Sequence, residues 1–141
     1  MKGALAHLSS QFDVAARAGT VREVWWRDDD ATCPGPRLAR LFSLASAHGA
    51  PLALAAIPAG TTPELLKWCE THKVSVLQHG IAHENHETVG KSAELGAARP
   101  VARLVDALLA IRDRLVCDTF LPVGVPPWNR IHADVVARLP A

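Results

Sequence analysis

A chain of 141 residues, 49% of them hydrophobic and 21% charged, is long enough to bury one core of its own. Its formal net charge of +1, with no basic run, excludes an electrostatic footprint for nucleic acid or an anionic membrane surface. The longest apolar stretch, "APLALAAIPAG", is too short and too broken by proline to cross a bilayer.

Residues 4 to 18 read as an amphipathic helix, and 1–20 together as an N-terminal helix or linker. That start is interrupted by polar residues too early for a secretory signal. "VREVWW" (21–26) reads as the first strand. "PRLARLFSLASAH" (36–48) follows as a helix, with Leu38, Leu41, Phe42 and Ala45 on one stripe and Gly49 as its stop. A buried strand is expected at 51–57. "TTPELLKWCETH" is then a helix capped by Thr62, with Pro63 at its first position. A third strand spans 73–78. The longest helix is expected at about 93–116, from Leu104, Leu108, Ile111 and Leu115 at helical spacing. A fourth strand at 119–125 and a short helix over "HADVVARL" complete the chain. Three scattered cysteines, Cys33, Cys69 and Cys117, lack the CxxC spacing of a zinc ribbon, and one must stay unpaired. They point to a reduced, cytoplasmic setting.

Strand and helix alternate four times. That order implies an α/β fold, a parallel sheet of about four strands with outer helices, joined by right-handed crossovers. Ligands in such folds sit beyond the carboxyl ends of the strands. Asp28, Asp29 and Asp30 fall at that end of the first strand, Gln78 and His79 at that end of the third, and Pro126, Pro127 and Trp128 beyond the fourth. In "LQHGIAHENHE" (77–87), His79 and His83 are four apart, so a helical turn would set both rings on one face. Two imidazoles and one carboxylate are a usual ligand set for a catalytic divalent metal with open positions. His86 is either a third imidazole or, the preferred reading, a group behind the ligands or facing solvent. Alone, an HxxxH pair is often surface decoration and a triple Asp a solvated loop. Their coincidence on one rim is harder to explain that way.

These three segments together resemble the polysaccharide deacetylase family, of NodB-homology or carbohydrate esterase 4 type, in a divergent bacterial branch and over its N-terminal part. The family has a strand ending in Thr-Phe-Asp-Asp-Gly, then His-(Ser/Thr)-x-x-His, then Arg-x-Pro-(Tyr/Trp). Here "DDDA" (28–31), "HGIAH" (79–83) and "VPPWN" (125–129) lie on these motifs in order. The resemblance implies Asp29 as general base and Asp30, His79 and His83 as ligands of a divalent ion, usually zinc. It implies the backbone N–H of Trp128 as an oxyanion donor, and an acetylated saccharide as substrate, bound with help from Pro127 and Asn129. Trp26 is the candidate for a sugar subsite, Trp25 or Trp26 being core.

Departures accompany the match. Ala31 replaces the glycine of the first motif, and Val125 replaces the arginine that orients the base. Arg130, counted with the catalytic residues, or Arg27 could supply that charge from another position. Lys91 and Glu94 of "KSAELG" either reach the rim or, the preferred reading, form a solvated helix start. The family's fold is a distorted (β/α) barrel of about seven strands, which four strands cannot close. The expectation is a single domain over 1–141, truncated at the C-terminus, with the histidine acid of the later motifs missing. Its sheet runs in the order 1-2-3-4 with free edges, and a homo-oligomer is one way to cover the open barrel half. The function implied is a metal-dependent hydrolase that removes acetyl groups from N-acetylated sugars. The alternative is a non-catalytic metal- or sugar-binding remnant of the same fold.

Overall fold

In the computed structural model, which describes residues 2–140, helix α1 (Lys2–Arg17) precedes a regular alternation of strands and helices. The order is β1 (Trp26–Ala31), α2 (Pro36–Ala47), β2 (Leu52–Ala56), α3 (Pro63–His72), β3 (Ser75–Gln78), α4 (Val101–Arg112), β4 (Phe120–Gly124) and α5 (Ala133–Val136). Single 3-10 turns follow α4 at Asp113–Leu115 and β4 at Pro127–Asn129. The four strands form one sheet in the order β1-β2-β3-β4, and every pair is parallel. No described helix is long and apolar enough to cross a membrane.

The central strand explains why the sheet forms. All five residues of "LALAA" in β2 are buried, so this strand is covered on both faces, as parallel strands are. Leu52, Leu54 and Ala56 pack with Val74 and Val76 against Leu38 and Ala45 of α2 and Leu65 and Cys69 of α3. Ala53 and Ala55 point the other way and join Leu77 and Val125 in a smaller cluster. A third cluster lies under α4, where Leu104, Val105 and Leu108 meet Leu95 and Val135.

Helix ends follow local chemistry. Gly49 ends α2 at φ +60°, and the N–H groups of Gly49 and Ala50 return to the carbonyls of Ser46 and Ala45, a left-handed stop that glycine takes without steric cost. Pro63 opens α3 as expected, but the Thr62 side chain makes no cap. Its hydroxyl is buried without a hydrogen-bond partner.

Three sequence expectations are corrected. β1 begins at Trp26 rather than Val21, leaving Val21, Val24 and Trp25 exposed. Its pairing starts where Trp26 N–H meets Pro51 O at 2.8 Å. An edge strand is set by backbone pairing with its neighbour, so the most apolar stretch need not be the strand. The aspartates therefore lie within β1. The long helix expected from residue 93 starts only at Val101, because Pro100 stands at its cap, and the residue before a proline disfavours helical backbone. Residues 84–99 form an irregular loop carrying one isolated bridge, Leu95 to Ile131. The last helix is only Ala133–Val136, capped by the His132 ring, which accepts the Asp134 N–H at 3.2 Å.

Candidate metal centre

β1 does not run as a regular strand to its end. Asp28 pairs with Leu54 and Ala31 with Ala56, so three steps on β1 face two on β2. That extra residue is a β-bulge, and Asp30 within it has φ +66°. A bulge breaks side-chain alternation and re-aims a side chain. Here Asp30 turns toward the end of β3. One of its oxygens, Oδ1, lies 3.1 Å from His79 Nε2 and 3.2 Å from His83 Nε2.

The two histidines reach that oxygen from a loop, not from the helical turn that their spacing suggested. Backbone pairing extends one residue past β3, with His79 N–H on Ala56 O at 2.8 Å. Gly80 (φ +62°) and His83 (φ +59°) then reverse the chain, and the ring centroids end 5.1 Å apart. The His79 ring is buried, and its Nδ1 contacts Val125 O at 2.9 Å. The residue at the expected arginine position thus supplies the carbonyl that orients the His79 ring. With Nδ1–H donating there, a neutral ring presents only a lone pair at Nε2. A lone pair cannot bond a carboxylate oxygen, whereas a cation held between the two would be met by both.

The donor set fits a metal. One atom from each of Asp30, His79 and His83 lies within 4.8 Å of the others. Atoms held ~2.1 Å from one ion at ~90–110° to each other are ~3.0–3.4 Å apart, which brackets both Asp30–histidine distances. His83 also packs on Trp128, with centroids 4.3 Å apart. Trp128 and Asn129 have φ +53° and +54°. Of the five described non-glycine residues with positive φ, four (Asp30, His83, Trp128 and Asn129) lie in these three motifs. Such backbone costs of order 1–3 kcal/mol per residue and collects where function demands it.

Asp29 points to a different partner. Arg27 Nε and Nη2 donate to its two oxygens at 2.7 and 3.2 Å, a two-pronged pair between residues i and i+2 of one strand. Arg130 does not provide this charge, because its guanidinium donates to Ser92 O at 2.9 Å and braces the 84–99 loop. Asp28, beside them, has its carboxyl raised above the ordinary value by burial first, then by Asp29 and Asp30.

Two sugar-contact candidates are misplaced. Trp26 opens β1, and four residues at ~3.3 Å each set it ~13 Å along the strand from Asp30, at the sheet's opposite end. Pro127 is fully buried and packs against Gly80. Asn129 is exposed at the rim. His86 is no third ligand: its Nε2 meets Arg99 Nη1 at 3.0 Å.

The reading of Glu94 as part of a solvated helix start is corrected. Far from solvated, Glu94 is 1% exposed. Its carboxylate accepts the N–H groups of Ile81 (2.8 Å), Ala82 (2.7 Å) and Glu84 (3.3 Å), all within or just after the segment joining the two histidines. Two signals pointed this way: apolar neighbours Ala93 and Leu95, and a proline at 100 that argues against a helix from 93.

No family model and no curated relative matches the sequence. Two solved structures match the fold. A family 4 carbohydrate esterase from Streptomyces lividans in complex with acetate superposes with a TM-score of 0.60 at 14% identity, covering 82% of this chain and 56% of that one. A deacetylase solved with substrate gives 0.56 at 17% identity, over 83% and 54%. The chain has the fold of these enzymes and spans about half their length.

Proposed function

We propose that the chain is a metal-dependent hydrolase of the polysaccharide deacetylase kind, removing acetyl groups from N-acetylated sugars. The observation that carries this reading is the convergence of Asp30, His79 and His83 from two strand ends, with a second, ion-paired carboxylate one residue away. The shared fold of an esterase and a deacetylase supports it.

Asp30, His79 and His83 would hold the ion, and zinc suits two imidazoles and one carboxylate with positions left open. When bound, it supplies Lewis acidity, polarising the acetyl carbonyl and the attacking water. Asp29 is the general base, its carboxylate aimed by the Arg27 guanidinium so that it takes a proton from that water. The backbone N–H of Trp128 is the donor offered to the developing oxyanion, and Asn129 contacts the sugar. All three cysteines are free thiols. Burial first, then Cys117 and Glu70, pushes that of Cys69 up to about 12. Unpaired cysteines suit a cytoplasmic setting.

The test is metal content and acetate release. Protein purified without added ions is expected to carry zinc and to release acetate from an N-acetylated oligosaccharide. Asp29→Asn should keep the metal and lose about 10²–10⁴-fold in rate; His79→Ala should lose both. Metal-free protein, or turnover indifferent to Asp29→Asn, overturns the reading. The second reading is a non-catalytic metal- or sugar-binding module of the same fold. Bound metal without acetate release would select it.

A further inference from the structure

The segment from Gly80 to Ala82 has a demanding task. It must reverse the chain after β3 and still bring two imidazoles onto one carboxylate oxygen, although His83 needs left-handed backbone to do so. Nothing in its own sequence, Gly-Ile-Ala, can hold that shape by side-chain hydrogen bonds. The N–H groups of Ile81 and Ala82 instead point at Glu94, thirteen and twelve residues on.

We propose that Glu94 is a positioning residue of the metal centre: its buried carboxylate fixes the backbone between His79 and His83, and hence the spacing of the two rings, before any ion arrives. This rests on the metal-centre reading above. Only a carboxylate fits the role. Oε2 takes the Ile81 N–H while Oε1 takes those of Ala82 and Glu84, so both oxygens must accept. A glutamine would have to turn its NH₂ toward one set of N–H donors. Three backbone N–H groups thus meet the two oxygens.

The surroundings fix Glu94 in turn. A Cβ on Gly80 would overlap its Oε2, so carboxylate and loop are in close contact. The Asn85 side chain accepts the Ala93 N–H at 3.0 Å, and His86 N–H bonds Ala93 O at 3.1 Å. On the other side, Leu95 O accepts the His132 N–H at 2.8 Å. The carboxylate therefore approaches the histidine loop from a braced backbone.

The experiment compares Co²⁺ binding by the wild-type chain and Glu94→Gln, followed by the visible d–d absorption of the bound ion. Glu94→Gln, with the far-UV circular dichroism of the wild type, is expected to bind Co²⁺ about 10–100-fold more weakly and with a shifted band, whereas a role in stability alone would leave the band of the loaded protein unchanged. Wild-type affinity and spectrum in the folded variant overturn the proposal. Should the variant not fold, amide hydrogen exchange of the metal-free wild-type chain decides. Slow exchange at Ile81 and Ala82 without metal supports a loop built by Glu94, and exchange at the rate of an open loop overturns it. If the wild type takes no Co²⁺, the metal reading itself fails, and the same two amides still report on the carboxylate.

Discussion

Asp29 and Asp30 are neighbours of one chemistry with different surroundings. Asp30 meets two imidazole nitrogens and Asp29 meets one guanidinium, and in the function we propose that difference divides ligand from base. Arg27 and Arg130, both candidates for the orienting charge in sequence, separate on the same test. Arg27→Met is expected to lower kcat while sparing metal content, because the Asp29 carboxylate loses its two-pronged partner. Arg130→Met should instead cost about 1.5–3 kcal/mol of stability through the lost charged hydrogen bond to Ser92 O. Steady-state acetate release and urea denaturation of the two variants measure this. Equal kcat losses would show that Arg130 also serves the chemistry.

The elements bearing the site are each irregular where they meet it. β1 is bulged at Asp30, the chain after β3 is reversed at Gly80 and His83, and the turn after β4 is left-handed at Trp128 and Asn129. A regular strand would send Asp29 and Asp30 to opposite faces; the bulge releases them from that rule. Gly80 is the position where this geometry is least forgiving. A methyl there would lie 2.6 and 2.7 Å from two Pro127 ring carbons, besides overlapping Glu94, on backbone that side chains rarely adopt. Gly80→Ala is therefore expected to destabilise the fold by about 1–3 kcal/mol and to weaken metal binding. Calorimetry and metal titration would check both, and a variant equal to wild type in both would contradict the packing described. In the core, Leu54 is fully buried between sheet and helices. Leu54→Ala should cost about 2–5 kcal/mol in urea denaturation, with metal affinity of the remaining folded protein unchanged.

Among the described residues the sheet has four strands, with β1 and β4 at its edges. Both are exposed: Trp26 on one and Leu121 and Val123 on the other. Asp30 of edge strand β1 meets His79 and His83 of the loop after β3, so in the function we propose an ion is expected to stabilise the fold as a cross-link between them. An ion that binds only the folded chain adds about 2.7 kcal/mol at a hundred times its Kd, a rise of roughly 8–11 °C in Tm for a domain of this size. A chelator should reverse the rise, and His83→Ala should abolish it. A Tm indifferent to added zinc and chelator would remove the ion from the folded state.

The sequence by itself determined the alternation of strands and helices, the parallel order 1-2-3-4 and the rim on which the chemistry gathers. These depend on local patterns, such as the apolar run of β2, Gly49 after α2 and Pro63 at the start of α3, that act over a few residues. It also singled out Asp30, His79 and His83, because their spacing and strand ends are one-dimensional facts. Only the tertiary structure decided how they meet. The bulge at Asp30 is set by pairing with β2, and the left-handed His83 by a carboxylate eleven residues further on. The assignment of Arg27 rather than Arg130 to Asp29 rests on a contact that spacing does not fix. Glu94 shows the reason: a charged residue next to apolar neighbours reads as solvent-facing until the fold brings three unpaired backbone N–H groups to it, and burial then becomes favourable.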